Sequence, residues 1–197
     1  MTEPTYSNIK ICTELDVVTV LMAVFLGYLQ PMRKNRLTPD ESRAVVPGSL
    51  LVWEERPSGE YVHGIGRFCD GKPWSKSCWR KGPFVVYGER TSKGKKPSPP
   101  SERLFKQTLR VLVDTGKGYR HWRMNAYYSE ESQKNLMTVN EDPFLSQVPI
   151  NWSLFPGMCG SSRGNMLEDG RIEQLRWWAA GALPSKMWQK ASALWSE

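Results

Sequence analysis

The chain has 197 residues, 40% hydrophobic, 24% charged and 11% aromatic, with a net charge of +7. That length suits one domain able to bury roughly 70% of the surface its unfolded chain exposes, and nine Trp, seven Tyr and six Phe exclude a disordered polymer. The 27 Lys and Arg against 20 Asp and Glu favour an anionic partner without choosing between nucleic acid and an acidic surface.

The first helix is expected from Thr13, which can cap with Asp16 three residues on, followed by Val17, Val20, Leu21, Val24 and Phe25 at helical spacing. Gly27 is its stop. The apolar run Val17 to Leu29 is broken by Thr19, Gly27 and Tyr28 and is too short to span a bilayer. Glu3, Glu14 and Asp16 outweigh Lys10 around its start, so no cationic leader is expected and the protein is expected to work inside the cell.

The next stretch, PMRKNRLTPDESR, places Arg33, Lys34 and Arg36 within four residues of a Pro-flanked loop. A run of this kind ordinarily makes a solvated face, but its compactness also suits entry into a narrow groove or a clamp on successive phosphates. Leu50 to Glu55 is rich in strand formers, and Arg56-Pro57-Ser58-Gly59 predicts a turn into a second hairpin arm, Glu60 to Gly66.

Arg67 to Tyr87, RFCDGKPWSKSCWRKGPFVVY, then combines a tight turn, cations, hydroxyls and two tryptophans. Gly71 and Pro73 cannot continue a helix or central strand, so a shaped loop is expected through Lys81, returning to strand chemistry over Pro83 to Tyr87. Thr91 to Ser101 has no apolar residue and reads as a flexible linker.

Lys106 to Val113 alternates, with Leu109, Val111 and Val113 on one face and Thr108 and Arg110 on the other. After a turn at Asp114 to Gly118, Trp122, Met124, Ala126 and Tyr128 alternate with His121, Arg123 and Asn125. One face is expected in the core and the other as a polar, basic display. Residues 90–123 hold ten Lys or Arg against Glu102 and Asp114, a net +8 that leaves about −1 for the remainder. The positive field is therefore regional.

Ser129 to Ile150 reads as irregular. Asp169-Gly170 can open a helix carrying Ile172, Leu175 and Trp178, and Ser185 another carrying Trp188, Ala191 and Trp195.

No catalytic constellation stands out. Gly157 to Gly164, GMCGSSRG, lacks the GK[ST] ending of a phosphate-binding loop, and Cys159 has no nearby His to activate it. The four cysteines, Cys12, Cys69, Cys78 and Cys159, form no C-x-x-C pair and are joined only by His63 and His121, so no metal or cofactor is expected.

The order of these pieces resembles the WOPR domain of fungal transcriptional regulators, the family of the white-opaque switching regulator. The matching residues are Arg36-Leu37, Gly48-Ser49-Leu50-Leu51-Val52-Trp53, the run Phe68 to Cys78, Gly82-Pro83-Phe84-Val85-Val86-Tyr87, WRMNAYYS at Trp122 to Ser129, Leu136, and Asp142-Pro143-Phe144-Leu145. The resemblance implies an α+β fold, a single interwoven domain with a mixed, mainly antiparallel sheet and flanking helices. It would span residues 5–150, as blocks 5–90 and 103–150 joined by the linker 91–102. A short Trp-rich helical extension, 151–197, would follow.

The resemblance further implies binding of A/T-containing double-stranded DNA and transcriptional regulation in the nucleus, with no enzyme activity. Carried onto this sequence, Arg36 is the candidate for insertion into a minor groove, where narrow A/T stretches strengthen the negative potential. Lys72, Trp74, Ser75 and Ser77 would lie at the phosphate backbone or groove edge, and Arg33, Lys34, Arg67, Lys76 and Arg80 complete the expected DNA-binding set. The sequence departs from the family pattern at Asn35, Phe68, Cys69, Lys76 and Cys78. Loss of an Arg at position 78 removes a forked donor that Lys76 and Arg80 replace in charge but not in geometry.

Two other readings compete. One is a protein-interaction or dimerisation module contacting a co-regulator or a second copy through Trp177, Trp178, Trp188 and Trp195. The other is single-stranded RNA binding by stacking on Trp74, Trp79 and Trp122.

Overall fold

A computed structural model describes residues 3–57, 64–90 and 99–158. The elements run β1 (Ile9–Lys10), α1 (Glu14–Phe25), α2 (Pro39–Ala44), β2 (Leu50–Glu54), β3 (Trp74–Lys81), β4 (Phe84–Glu89), β5 (Phe105–Asp114), β6 (Tyr119–Tyr128), α3 (Ser132–Asn135) and β7 (Met137–Thr138). An antiparallel five-stranded sheet has the order β2-β6-β5-β4-β3, and β1 pairs in parallel with β7. The fold is α+β, mainly antiparallel, as the resemblance implies.

Local chemistry accounts for α1. Thr13 accepts from the Asp16 backbone N–H while the Asp16 carboxylate accepts from the Thr13 N–H, a complete capping box that satisfies two orphan donors. Every residue from Asp16 to Phe25 is buried, so this helix lies inside the domain rather than on it. It shares one apolar core with Leu50 and Val52 of β2, Phe84 and Val86 of β4, Val111 and Val113 of β5, and Trp122, Met124 and Ala126 of β6. Val139, Leu145, Val148, Ile150, Phe155 and Met158 join the same core. Residues 151–158 therefore pack with the domain, eight residues beyond the boundary expected at 150.

The alternation of β5 and β6 holds on that face, but the opposite face is not wholly a display. Asn125 and Tyr127 are buried. The cause is a second core of Met32, Leu37, Val45, Leu51, Trp53, Ile65, Leu104 and Tyr127, with Phe68 and Trp74 packed on it. The chain between α1 and β2 contributes Met32, Leu37 and Val45 as apolar pegs under an otherwise polar segment, and so covers part of the sheet. Residues 39–44, expected as loop, form α2, because Thr38 and Glu41 make a second capping box with Pro39 in the first turn.

Two further expectations are corrected. Trp74–Lys81 is an edge strand rather than a loop, paired with β4 from Trp74↔Glu89 to Lys81↔Phe84 with an irregularity between Trp74 and Cys78. Its lack of apolar alternation follows from its edge position. β2 pairs with β6, and of the hairpin arm expected at Glu60 to Gly66 the described residues 64–66 meet its end through the parallel bridge Glu55↔Ile65 rather than an antiparallel ladder. The turn at Ser58-Gly59, most of the linker, His63, Cys159, the Gly-rich run beyond Met158 and the helices expected around Trp178 and Trp188 lie outside the described residues.

Candidate nucleic-acid interface

The second core brings the two basic stretches together. Met32 N–H donates to Val52 O at 2.7 Å, fixing the start of the loop on β2. Cys69 N–H donates to Asn35 O at 2.8 Å and Leu37 N–H to Cys69 O at 3.0 Å, which pairs Arg36 with Cys69 as a parallel bridge. Phe68 packs on Trp53 with ring centroids 4.6 Å apart and the planes tilted by 32°. Backbone pairing thus sets Arg36 alongside the loop that carries Arg67 and Lys72, two segments that the sequence separates by thirty residues.

Asp70 anchors this loop. Its buried carboxylate accepts from Lys72 N–H (3.2 Å), Trp74 Nε1 (2.9 Å), Lys106 Nζ (3.0 Å) and the Tyr127 hydroxyl (2.8 Å). Burial pushes the Asp70 carboxyl up, but the Lys106 charge and the bonds from Trp74, Lys106 and Tyr127 outweigh it and hold the group below the usual carboxylate range. Burial likewise lowers the Lys106 ammonium, with Asp70 opposing, and raises the Tyr127 phenol well up, reinforced by the Asp70 charge. Lys106 also stands 4.3 Å from the centre of the Trp74 ring. A cation between a carboxylate and an indole face is held from both sides.

The expected DNA-binding residues fall into distinct environments. Arg33, Arg36, Arg67, Lys76 and Arg80 are exposed, and among the described residues none has a carboxylate partner. Lys34 is exposed but donates at 2.7 Å to Glu41, whose side chain is 3% exposed, so its charge is largely spent on the α2 cap. Lys72 is half-buried, with its backbone N–H turned to Asp70. Trp74 is half-buried and gives its indole N–H to Asp70, which leaves that donor unavailable to a phosphate. Ser75 is half-buried on β3, and Ser77 lies on the same strand.

Trp122 is 1% exposed, 6.5 Å from Phe25 of α1. It therefore offers no stacking platform, and of the trio invoked for single-stranded RNA only Trp79 is openly exposed, at 46%.

Several residues that organise the site were legible only as types. Asp70 looked like a turn residue, and Lys106 and Tyr127 like members of an alternating pattern. Glu55 accepts from Arg110 Nε at 2.5 Å and from a terminal nitrogen of Arg123 at 2.9 Å. Burial raises the Glu55 carboxyl, and the two guanidinium groups bring it below its ordinary value. The alternation marked Arg110 and Arg123 as one face; the strand register and Glu55 were not in that signal. No grouping of His, Cys, Asp and Glu able to hold a metal ion occurs among the described residues, and no helix among them is long and apolar enough to cross a membrane.

Comparison with known proteins follows the same lines. The Gti1/Pac2 family model matches residues 5–141. The chain is 37% identical over 200 residues to the cAMP-independent regulatory protein pac2 of Schizosaccharomyces pombe, covering 77% of this chain and 82% of that protein. It is also similar to the WOPR domain of Wor1 from Candida albicans, solved in complex with a 13-bp double-stranded DNA, at 27% identity and a TM-score of 0.61 over 78% of this chain and 97% of that one. The complex of the same domain with a 17-bp duplex gives 26% identity and a TM-score of 0.57, covering 78% and 99%.

Proposed function

The chain belongs to the Gti1/Pac2 family, and from that premise we propose that it is a double-stranded DNA-binding regulator of transcription, acting in the nucleus through a basic face with Arg36 in an A/T-rich minor groove. The observation that carries the reading is the Arg36↔Cys69 bridge. It holds an exposed guanidinium, without a carboxylate partner among the described residues, on a backbone fixed at both ends, beside the exposed Arg33 and Arg67. A fixed backbone leaves only the side chain's own freedom to be lost on entering a groove, and a narrow groove rewards its charge. The similarity to a WOPR domain solved on duplex DNA supports the same reading.

Phosphate contacts supply affinity and position, while groove contacts supply preference. Arg33, Arg67, Lys72, Lys76 and Arg80 take the first role, and Arg36 takes the second. With about five phosphates neutralised, affinity for duplex falls by roughly two to three decades between 50 and 200 mM salt. The test is a selection from random duplex DNA followed by salt titration on the enriched site. Enrichment of an A/T-containing sequence with a steep slope supports the reading; no enrichment and a slope near zero overturn it.

A further inference from the structure

We propose that Arg110 and Arg123 form a second phosphate-binding site on the open face of the sheet, gripping one backbone phosphate of the duplex beyond the stretch held by the Arg36 loop, with Glu55 setting its strength. The inference rests on the DNA-binding reading and extends it to two residues outside the expected DNA-binding set.

Arg110 of β5 and Arg123 of β6 are direct cross-strand partners. Like charges directly opposite one another repel, and here the repulsion is countered by a single carboxylate bonded to both, Glu55. One negative charge against two positive leaves a net positive charge at the centre. The side chains of Arg110 and Arg123 remain 49% and 38% exposed, while Glu55 is 19% exposed beneath them. The ion pair between this face and the loop before β3, Lys106 with Asp70, is closed off, at 15% and 5%. Part of the positive charge that the sequence concentrates in residues 90–123 thus reaches solvent, in fixed orientation, at this pair.

The geometry suits a phosphodiester. Each guanidinium carries five N–H donors in a planar fork, and the bonds to Glu55 engage one nitrogen of each. Glu55 holds both forks in place, so the phosphate meets donors whose freedom is already restricted. The site is continuous with the Arg36 face, because Trp53 is the β2 partner of Arg123 and carries Phe68, the neighbour of Arg67, on its ring.

The experiment is anisotropy of a labelled A/T-rich duplex against the full chain from 50 to 200 mM salt. Arg110→Gln and Arg123→Gln are each expected to lower the magnitude of the salt slope by about one, whereas Arg110→Lys keeps it. Glu55→Gln is expected to raise the slope and tighten binding several-fold at 50 mM. Lys134→Gln, the same charge change on α3, is expected to leave the slope unaltered. Thermal melting of each variant identifies any that fails to fold, and the rise expected for Glu55→Gln then carries the comparison, an unchanged slope there counting against the site. Unchanged slopes in both glutamine variants, with Arg36→Ala still weakening binding, would overturn the site and leave the DNA-binding reading intact. Absence of salt-dependent duplex binding by the unsubstituted chain would overturn both.

Discussion

The hydroxyl of Tyr127 donates to the carboxylate of Asp70 at 2.8 Å across 57 residues of chain. That bond, with the one from Lys106, ties the loop of the first sequence block to two strands of the second. Replacing Asp70 by Ala strands a largely buried ammonium on Lys106 and frees the indole N–H of Trp74. Removing one partner of a buried pair costs about 3–5 kcal/mol, so Asp70→Ala is expected to lower the urea midpoint substantially. Duplex affinity is expected to fall with it, since Cys69, the backbone partner of Arg36, is the adjacent residue. Equal stability of the variant and the parent chain would refute the anchoring role.

The same carboxylate predicts an acid limit. Asp70 and Glu55 both lie below their ordinary values in the fold, despite burial pushing each upward. The folded state thus binds fewer protons than the unfolded chain as pH drops. The stabilisation is complete above the unfolded carboxylate range, about pH 4, and is lost as pH falls through the lower folded values. Urea midpoints measured from pH 6 to pH 2.5 should hold and then decline below about pH 4, with a shallower decline in Asp70→Asn. Parallel curves for the two proteins would show that Asp70 contributes nothing to the limit.

Gly71 has φ +76°, and a Cβ there would sit 2.9 Å from Ser42 Oγ on α2. Gly71→Ala therefore combines a left-handed backbone strain with a contact against the helix, together costing about 1 kcal/mol or more. Because the loop must shift away from α2 to relieve it, duplex binding is expected to weaken along with the melting temperature. A variant with unaltered melting would mean that the loop accommodates the methyl without moving.

What the sequence disclosed follows how local each feature is. The α1 cap needs only Thr13 and Asp16, and the β5 and β6 pattern only alternation within one strand, so both were legible. The edge strand β3 was not, since an edge need not alternate and its identity depends on pairing with β4. The placing of β2 beside β6 is a long-range pairing that no local pattern encodes. Asp70 carries its meaning through Lys106 and Tyr127, 36 and 57 residues away. Asn125 falls on the face expected as a display, yet it is buried with Tyr127, because a mostly polar segment covers them through Met32, Leu37 and Val45. For the candidate site, the residue types were visible in advance, whereas which cations are already neutralised was not.

That last distinction separates Lys34 from Arg36. The two stand two residues apart in one basic run, and composition treats them alike. Lys34 is bonded to Glu41, whose carboxylate is buried and also accepts from the Thr38 N–H of the α2 cap. Arg36 is exposed and has no carboxylate partner among the described residues. Lys34→Ala should therefore act mainly on stability, by about 1 kcal/mol for a lost charged hydrogen bond to a buried group, with little change in salt slope. Arg36→Ala should leave the urea midpoint near that of the parent chain while weakening binding to A/T-containing duplex more than to G/C duplex. Urea melts and duplex titrations of both variants, run side by side, test the assignment. If Lys34→Ala lost more affinity than stability, its ion pair with Glu41 would have to open on DNA, and the division of labour within the loop would be reversed.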